Sequence, residues 1–448
     1  MKINLPNEVQ NIIEVFRKHK FDIYLVGGTV RGLIMNRKIS DWDFTTNATP
    51  DQIMKLFPHS YYENNYGTVS VPSILNEDNT IFEITTFRYE SKYTNLRHPD
   101  EVVWAKDINE DLARRDFTIN AIAYNGNDFI DPFFGIEDIK SGIIKSVGDS
   151  QLRFREDALR LFRAVRQATQ LNFQIDKETR ESIIKNADLI SNISGERVRD
   201  ELFKLLESDN ASNGILLLKE VGLLKYIIPE LEKCFLIDQK SPFRHHIYDV
   251  GVHSVNSLKN CRSKNVITRL ATLLHDIGKV DTYHKNKETG IVTFYNHEVV
   301  GEDLTSHIAD RLKLSKEQKK MLCILVRNHQ FTVTEEQSDK SLRRFLRIVG
   351  LELIDEMLEL RRADRIGSGA KETSWRTELF KKRLIEVQKI PFSIKDLKVS
   401  GQDVMEILQI PPSPKVGEVL NIIFSEVDDE KLVNDRELLI KRVHELKP

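Results

Sequence analysis

The chain has 448 residues, 30% of them charged and 40% hydrophobic, with a formal net charge of -2. These numbers exclude a disordered or disulfide-dense chain and predict two or more globular domains with ample core. No apolar run approaches the roughly 20 residues of a membrane span, and the near-neutral balance confines any polyanion binding to local patches.

Residues 1–20, MKINLPNEVQNIIEVFRKHK, lack the apolar core of a signal peptide. They read as an amphipathic helix with Pro6 near its first turn. Cys234, Cys261 and Cys323 make neither a CxxC pair nor an even framework, which predicts a reducing, cytoplasmic setting. Tyr24-Leu25-Val26 predicts a short strand. Gly27 and Gly28 then open a turn into a helix from Thr29. Bare backbone N–H groups and the helix dipole favour a phosphate at such a place. Asp41 and Asp43 follow, two apart; on a strand both carboxylates project from one face and suit a pair of Mg²⁺ ions. Residues 21–145 alternate short strands, turns and helices, with 81–88 and 117–124 as strand candidates. From about 146 onward helical spacing dominates. The fold class expected is therefore α+β, an α/β head followed by an all-α remainder.

GGTVR followed by SDWD resembles the tRNA nucleotidyltransferase and bacterial poly(A) polymerase branch of the DNA polymerase beta-like superfamily. The resemblance implies that Asp41 and Asp43 are catalytic and hold Mg²⁺, with Gly28 and Arg31 at the triphosphate. Where that family usually has Asp after the Arg, this chain has Gly32. RRDFTINA, 114–121, resembles a class II element that contacts the nucleotide sugar and phosphates, which implies that role for Arg115 and Asp116. DPFFG, 131–135, resembles the turn after it. The polar stretch 88–102 resembles the family's flexible loop for switching from C to A addition, with Asn95 where Asp is frequent and with Arg97 and Pro99 retained.

The segment 152–166 carries five arginines against two acids. Asp157, Arg160, Arg163 and Arg166 recur every three residues, a row that drifts about 60° per step around a helix. Leu161, Phe162 and Val165 fall on the opposite, core-facing side. A carboxylate only accepts hydrogen bonds and a guanidinium only donates them. Asp157 with Arg160 therefore matches cytosine and adenine, which pair an amino donor with a ring-nitrogen acceptor, and mismatches uracil and guanine. The EDxxR element resembles the family's protein template for CTP and ATP. Arg163 and Arg166 are expected to face phosphates. SGERVRDELFKLL, 194–206, resembles the neck that braces the template, with Ser194 as a helix cap and Arg197 and Glu201 as a structural pair at i, i+4.

Eight of the twelve histidines fall between 245 and 329. His253, His275-Asp276 and Asp364 resemble the HD phosphohydrolase signature, which implies a divalent transition metal; His297 and His329 would complete a two-metal variant. His275 and Asp276 are expected on an apolar helix and Lys279 near a phosphate. Residues 397–440 resemble the tRNA-gripping tail of the same enzymes. The expected organisation is a head over 1–146, a neck over 147–215, an HD-type body over 216–385 and a tail over 386–448. The expected activity is CCA addition to the 3′ end of tRNA from CTP and ATP, with no membrane partner. The rivals are A-only addition, poly(A) polymerase, and an HD phosphohydrolase whose head binds RNA.

Overall fold

A computed structural model describes the chain apart from residues 1–2, 40, 63–66, 74–80, 92–100, 106, 240–247, 332–333, 335–336, 389–392 and 448. The chain divides into two compact units, residues 1–236 with 307–314, and residues 237–306 with 315–448. Among the described residues, no helix is long and apolar enough to cross a membrane.

In the first unit α1 (Asn7–Lys18) starts directly after Pro6 and buries Val9, Ile12, Ile13 and Phe16, the one-face spacing that the sequence predicts. Next come β1 (Ile23–Val26), α2 (Gly27–Ile34), β2 (Trp42–Thr46), α3 (Pro50–Leu56), β3 (Tyr61–Tyr62), β4 (Thr68–Pro72), β5 (Ile81–Thr86), β6 (Arg88–Ser91), β7 (Glu101–Trp104), α4 (Ile108–Ala113), β8 (Ala123–Tyr124), β9 (Phe129–Ile130) and α5 (Gly135–Ser141). Seven of these strands form one sheet in the order β3-β4-β5-β2-β1-β8-β9. Among the described residues of this sheet only β2 and β5 pair in parallel, with Asp43 opposite Glu83. β6 and β7 pair antiparallel at the edges of the expected loop. Asn95, Arg97 and Pro99 lie outside the described residues.

One expected strand is corrected. Residues 117–124 open with a 3-10 turn, Thr118–Asn120, and only Ala123–Tyr124 is strand. The Asp116 carboxylate accepts the Phe117 N–H at 2.8 Å, and Asn120 points inward to the same carboxylate at 3.0 Å. Local side-chain bonds of this kind compete with a strand ladder. In the DPFFG turn, Asp131 accepts the Gly135 and Ile136 N–H groups. A Cβ on Gly135 would lie 2.1 Å from the Thr118 carbonyl oxygen, so only glycine fits.

After β10 (Ile143–Ile144) the unit is helical: α6 (Ser150–Glu156), α7 (Leu159–Leu171), α8 (Lys177–Lys185), α9 (Gly195–Leu206), α10 (Ala211–Glu220), α11 (Leu224–Ile227) and α12 (Pro229–Cys234), with β11 (Gln174–Ile175) pairing to β10. Asp157 is therefore not on a continuous helix with Arg160. It is the extended residue that ends α6, and its carboxylate accepts the Leu159 N–H at 3.1 Å to start α7.

The second unit contains α13 (Val250–Asn260), α14 (Val266–Leu274), the hairpin β12 (His284–Lys285) and β13 (Val292–Thr293), then the first part of α15 (His297–Arg311), α16 (Lys316–Asn328), α17 (Asp339–Val349), α18 (Ile354–Gly367), α19 (Trp375–Val387), α20 (Gly401–Leu408), α21 (Pro414–Asp428) and α22 (Arg436–Glu445). The last three helices share an apolar core that includes Val404, Ile423 and Leu439. Buried Arg343 of α17 donates to Asp428 at 2.7 Å, which anchors α21.

Candidate active site and candidate metal centre

Gly27 has φ +64°, a conformation that glycine adopts without a Cβ penalty. A Cβ there would sit 3.3 Å from Arg115 Nη1 and 3.7 Å from Asp43 Oδ2. The glycine turn thus lets a guanidinium and a carboxylate close over the start of α2. At Gly28 the corresponding neighbour is Arg31 Nη2 at 3.7 Å. The buried Thr29 hydroxyl donates to the Asp41 carbonyl at 2.9 Å and accepts the Asp43 N–H at 2.9 Å. It pins the aspartate segment to the helix start. Burial, then the Glu83 and Asp41 carboxylates, push Asp43 up to about 6 against Arg115 and Arg31. Hard cations favour such an oxygen-rich, mutually repelling set, so these residues fit a divalent metal.

Arg31 shows how the chain manages with Gly32. Its guanidinium donates to Asn120 Oδ1 and, at 3.5 Å, to Gln167 Oε1. Burial lowers Arg31 to about 10, partly offset by Asp116. Asn120 Nδ2 in turn donates to Gln167 Oε1 at 3.1 Å and to Asp116. Arg115 donates to buried Asp111 at 3.0 Å, and Arg114 donates to it at 2.6 Å. Although desolvation opposes it, these two arginines hold Asp111 below the usual carboxylate range.

Asp116 is 8% exposed. It accepts Arg163 Nε and Nη2 at 2.8 and 2.6 Å. Burial alone would raise it, but Arg163 and Asn120 hold it far below the usual range. Arg166 pairs with Glu201, as Arg163 does more loosely at 3.8 Å. Arg163 and Arg166, expected to face phosphates, both meet carboxylates. Arg197 and Glu201 are not each other's partners either. Arg197 reaches Asp157 at 2.8 Å, and Ser194 sits at the N-cap without a side-chain cap bond. Arg160 is buried and donates to Glu156 at 2.9 Å and to the Arg114 carbonyl at 3.0 Å. Asp157 and Arg160 are thus held separately, each by a partner of its own.

In the second unit the six residues expected as metal ligands come together as two groups, His253–His275–Asp364 and Asp276–His297–His329. His275 and Asp276 are not on the helix but just past its end, at the break between α14 and a 3-10 turn. That break turns both side chains inward. Asp276 Oδ2 lies 3.3 Å from both His253 and His275 Nε2. Its Oδ1 lies 3.3 Å from His297 and 3.6 Å from His329. His275, His297 and His329 direct Nδ1 at backbone carbonyls three residues back, at 2.7–2.8 Å. This fixes the tautomer and leaves the inward Nε2 lone pairs to bind a metal. Burial would lower His275, yet Asp276 and Asp364 hold it up at about 10; a cation is what the carboxylates lack. Lys279, expected near a phosphate, is buried and spent on Asp276 and Gln239, both at 2.7 Å.

Sequence reasoning missed Thr29, Glu83, Asp111, Asn120 and Gln167. Glu83 sat in a strand already recognised, where its register to Asp43 was invisible. Thr29 lies within GGTVR and Asn120 within RRDFTINA, so those motifs are the signal that could have found them.

The sheet, the glycine turn and the carboxylates opposite it define a nucleotidyltransferase, and residues 23–145 match the family described as the poly A polymerase head domain. The chain is 32% identical to the CCA-adding enzyme of Lactococcus lactis, over 99% of this chain and 98% of that enzyme. It belongs to the CCA-adding enzyme family. A further match, 45% identical, is the CCA-adding enzyme of a Geobacillus species, covering 48% of this chain and 53% of that enzyme. Residues 172–235 match the RNA and SrmB-binding site of polymerase A, and residues 282–443 match tRNA nucleotidyltransferase domain 2. The fold is similar to the crystal structure of the Bacillus stearothermophilus CCA-adding enzyme in complex with CTP, with TM-score 0.72 and 28% identity over 98% of this chain and 96% of that one.

Two predictions follow from this geometry. The raised pKa of Asp43 means that its ionised form opposes folding at neutral pH, a cost that begins to shrink as pH falls through about 6 and is gone only below the ordinary carboxylate range. Asp43→Asn should raise the metal-free melting free energy at pH 7.5 by roughly 1–2 kcal/mol and abolish nucleotidyl transfer; an unchanged or lower melting temperature would refute the electrostatic account. Gln167→Ala should leave Arg31 and Asn120 short of an acceptor, costing about 1–3 kcal/mol. Its kcat/KM should fall equally for CTP and ATP, because Arg31 stands at the glycine turn and not among the residues expected to read the base. A change in the ratio between the two would count against this role.

Proposed function

We propose that this chain adds CMP twice and AMP once to the 3′ end of tRNA, without a nucleic-acid template, releasing pyrophosphate each time. The observation that carries the reading is the meeting of Asp41, Asp43, Arg31 and Arg115 at the glycine turn, in a chain that aligns end to end with a CCA-adding enzyme. Asp41 and Asp43 would hold two Mg²⁺, with Glu83 beside Asp43 in register. Bound there, the ions acidify the primer hydroxyl and offset charge on the departing pyrophosphate. Gly28, Arg31 and Arg115 receive the phosphates. Asp116 acts at the sugar side and orders Arg163, and Arg166 steadies the same helix through Glu201.

Asp157 and Arg160 would read the base edge. Arg197 holds one and Glu156 the other, so acceptor and donor are presented with little rotamer freedom. A mismatched base leaves buried polar groups unpaired, which costs on the order of 1–3 kcal/mol per group and is enough to select. We assign 1–146 to the head, 147–215 to the neck, 216–385 to the body and 386–448 to a tRNA-binding tail.

The histidine cluster favours a second activity. His253, His275, Asp276, Asp364, His297 and His329 would hold one or two divalent transition metals, with Asp276 shared. The matching reaction is hydrolysis of a phosphomonoester or a 2′,3′-cyclic phosphate at a damaged tRNA end.

The test of the first reading uses tRNA transcripts ending at the discriminator base, in C, or in CC. Extension of all three with CTP and ATP is expected; extension of the CC form alone would mean A addition, and no extension would sink the transferase. Asp157→Ala should erode C/A selection among the four NTPs by about tenfold while Mg²⁺ dependence is kept. For the cluster, purified protein should contain or bind transition metal by elemental analysis, and His275→Ala should lose it; a protein that binds none would remove the hydrolase.

A further inference from the structure

Beside the histidine cluster lies a cavity of about 680 Å³ whose lining includes Phe331, Arg361, Arg365, Trp375 and Arg376. The lining carries four arginines and a single carboxylate, Glu372. That carboxylate is shared with Arg362, which also pairs with Glu359 at 2.7 Å. The other three arginines retain capacity. Arg361 uses Nη1 on Asp364 at 2.8 Å. Arg365 has a buried Nε with no hydrogen-bond partner among the described residues. Arg376 makes no ion pair among the described residues and stacks on Trp375 at 5.2 Å. Trp375 itself is 60% exposed, at the start of α19. An open indole on a cationic wall is a stacking platform for a base, and unspent guanidinium donors suit phosphate oxygens.

The cavity adjoins the cluster on the side where the cluster is open. Asp364 is 14% exposed, whereas the side chains of the other five ligands are 5% or less. Arg361, one turn before Asp364 on α18, spans from the cavity wall to that carboxylate. Gln330, which follows His329, lines the same cavity.

We propose that this cavity binds a nucleoside monophosphate unit, free or at the end of an RNA, with the base on Trp375 and the phosphate ester among Arg361, Arg365 and Arg376. It thereby names the substrate class of the histidine centre, and it rests on the metal reading above. In the reaction served, water oxygen bonds to phosphorus, the ribose P–O bond breaks, the ribose oxygen takes a water proton and inorganic phosphate leaves.

The test is calorimetric titration of the full-length protein with adenosine 3′-monophosphate and with a short RNA bearing a 3′-phosphate. Trp375→Ala and Arg376→Ala should each weaken binding by about tenfold or more, and Trp375→Phe should retain most of it. CMP and AMP incorporation into tRNA should stay within about twofold of the parent, which also controls for folding. Tighter binding of the RNA identifies an RNA terminus as the source, and equal binding identifies the mononucleotide; both support the site. Binding that neither substitution changes overturns it. Elemental analysis of the same samples separates the two claims: metal without Trp375-dependent nucleotide binding removes the cavity and keeps the centre, and the converse removes the hydrolase and keeps the cavity.

Discussion

The first unit depends on one buried carboxylate, Asp116. It accepts two donors from Arg163 on α7, one from Asn120 and one from its neighbour's backbone. Asn120 and Gln167 then carry the network to Arg31 at the glycine turn. A buried charge is tolerable only when paired and hydrogen-bonded, so the strand-and-turn layer and the α7 helix must meet in one register. Arg31 at the glycine turn and Arg163 and Gln167 on α7 are therefore parts of one electrostatic unit. Gly32 fits that picture, because Asn120 and Gln167 supply Arg31 with acceptors.

The two candidate centres crowd like charges and resolve the repulsion differently. In the head, Asp43 faces Glu83 and Asp41 and is pushed up to about 6, with Arg115 and Arg31 only partly relieving it. In the body, Lys279 and His275 hold Asp276 well below its ordinary range. The head is left short of cationic charge near its carboxylates, the condition under which a divalent ion binds with gain. The backbone bonds to Nδ1 add direction in the body, since they leave the imidazoles only one nitrogen to offer.

Where one residue's spacing carries the chemistry, the sequence was legible. Asp43 falls on β2 as its spacing suggested, with Asp41 one residue ahead of the strand, and α1 needed only its apolar spacing. Where a side chain overrides the local pattern, it was not. Residues 117–124 have strand composition, yet Asp116 and Asn120 bend them into a turn. Asp157 continues a three-residue rhythm, yet its carboxylate caps the next helix and ends the previous one. His275 and Asp276 look incompatible on a helix and become compatible because the helix ends at Leu274, before both.

The sequence by itself determined the class of elements, the α+β organisation, the paired carboxylates of the head and the identity of the six residues in the histidine cluster. Residue type and short spacing suffice for these, since they depend on the chemistry of single side chains and on helix or strand period. Only the tertiary structure decided the pairings: Glu83 against Asp43, Gln167 against Arg31, Arg197 with Asp157 rather than Glu201, and Asp276 shared between two groups of histidines. The first three of these pairings join residues 40 to 136 positions apart, which have no local signature, and burial fixes which neighbour each side chain must take.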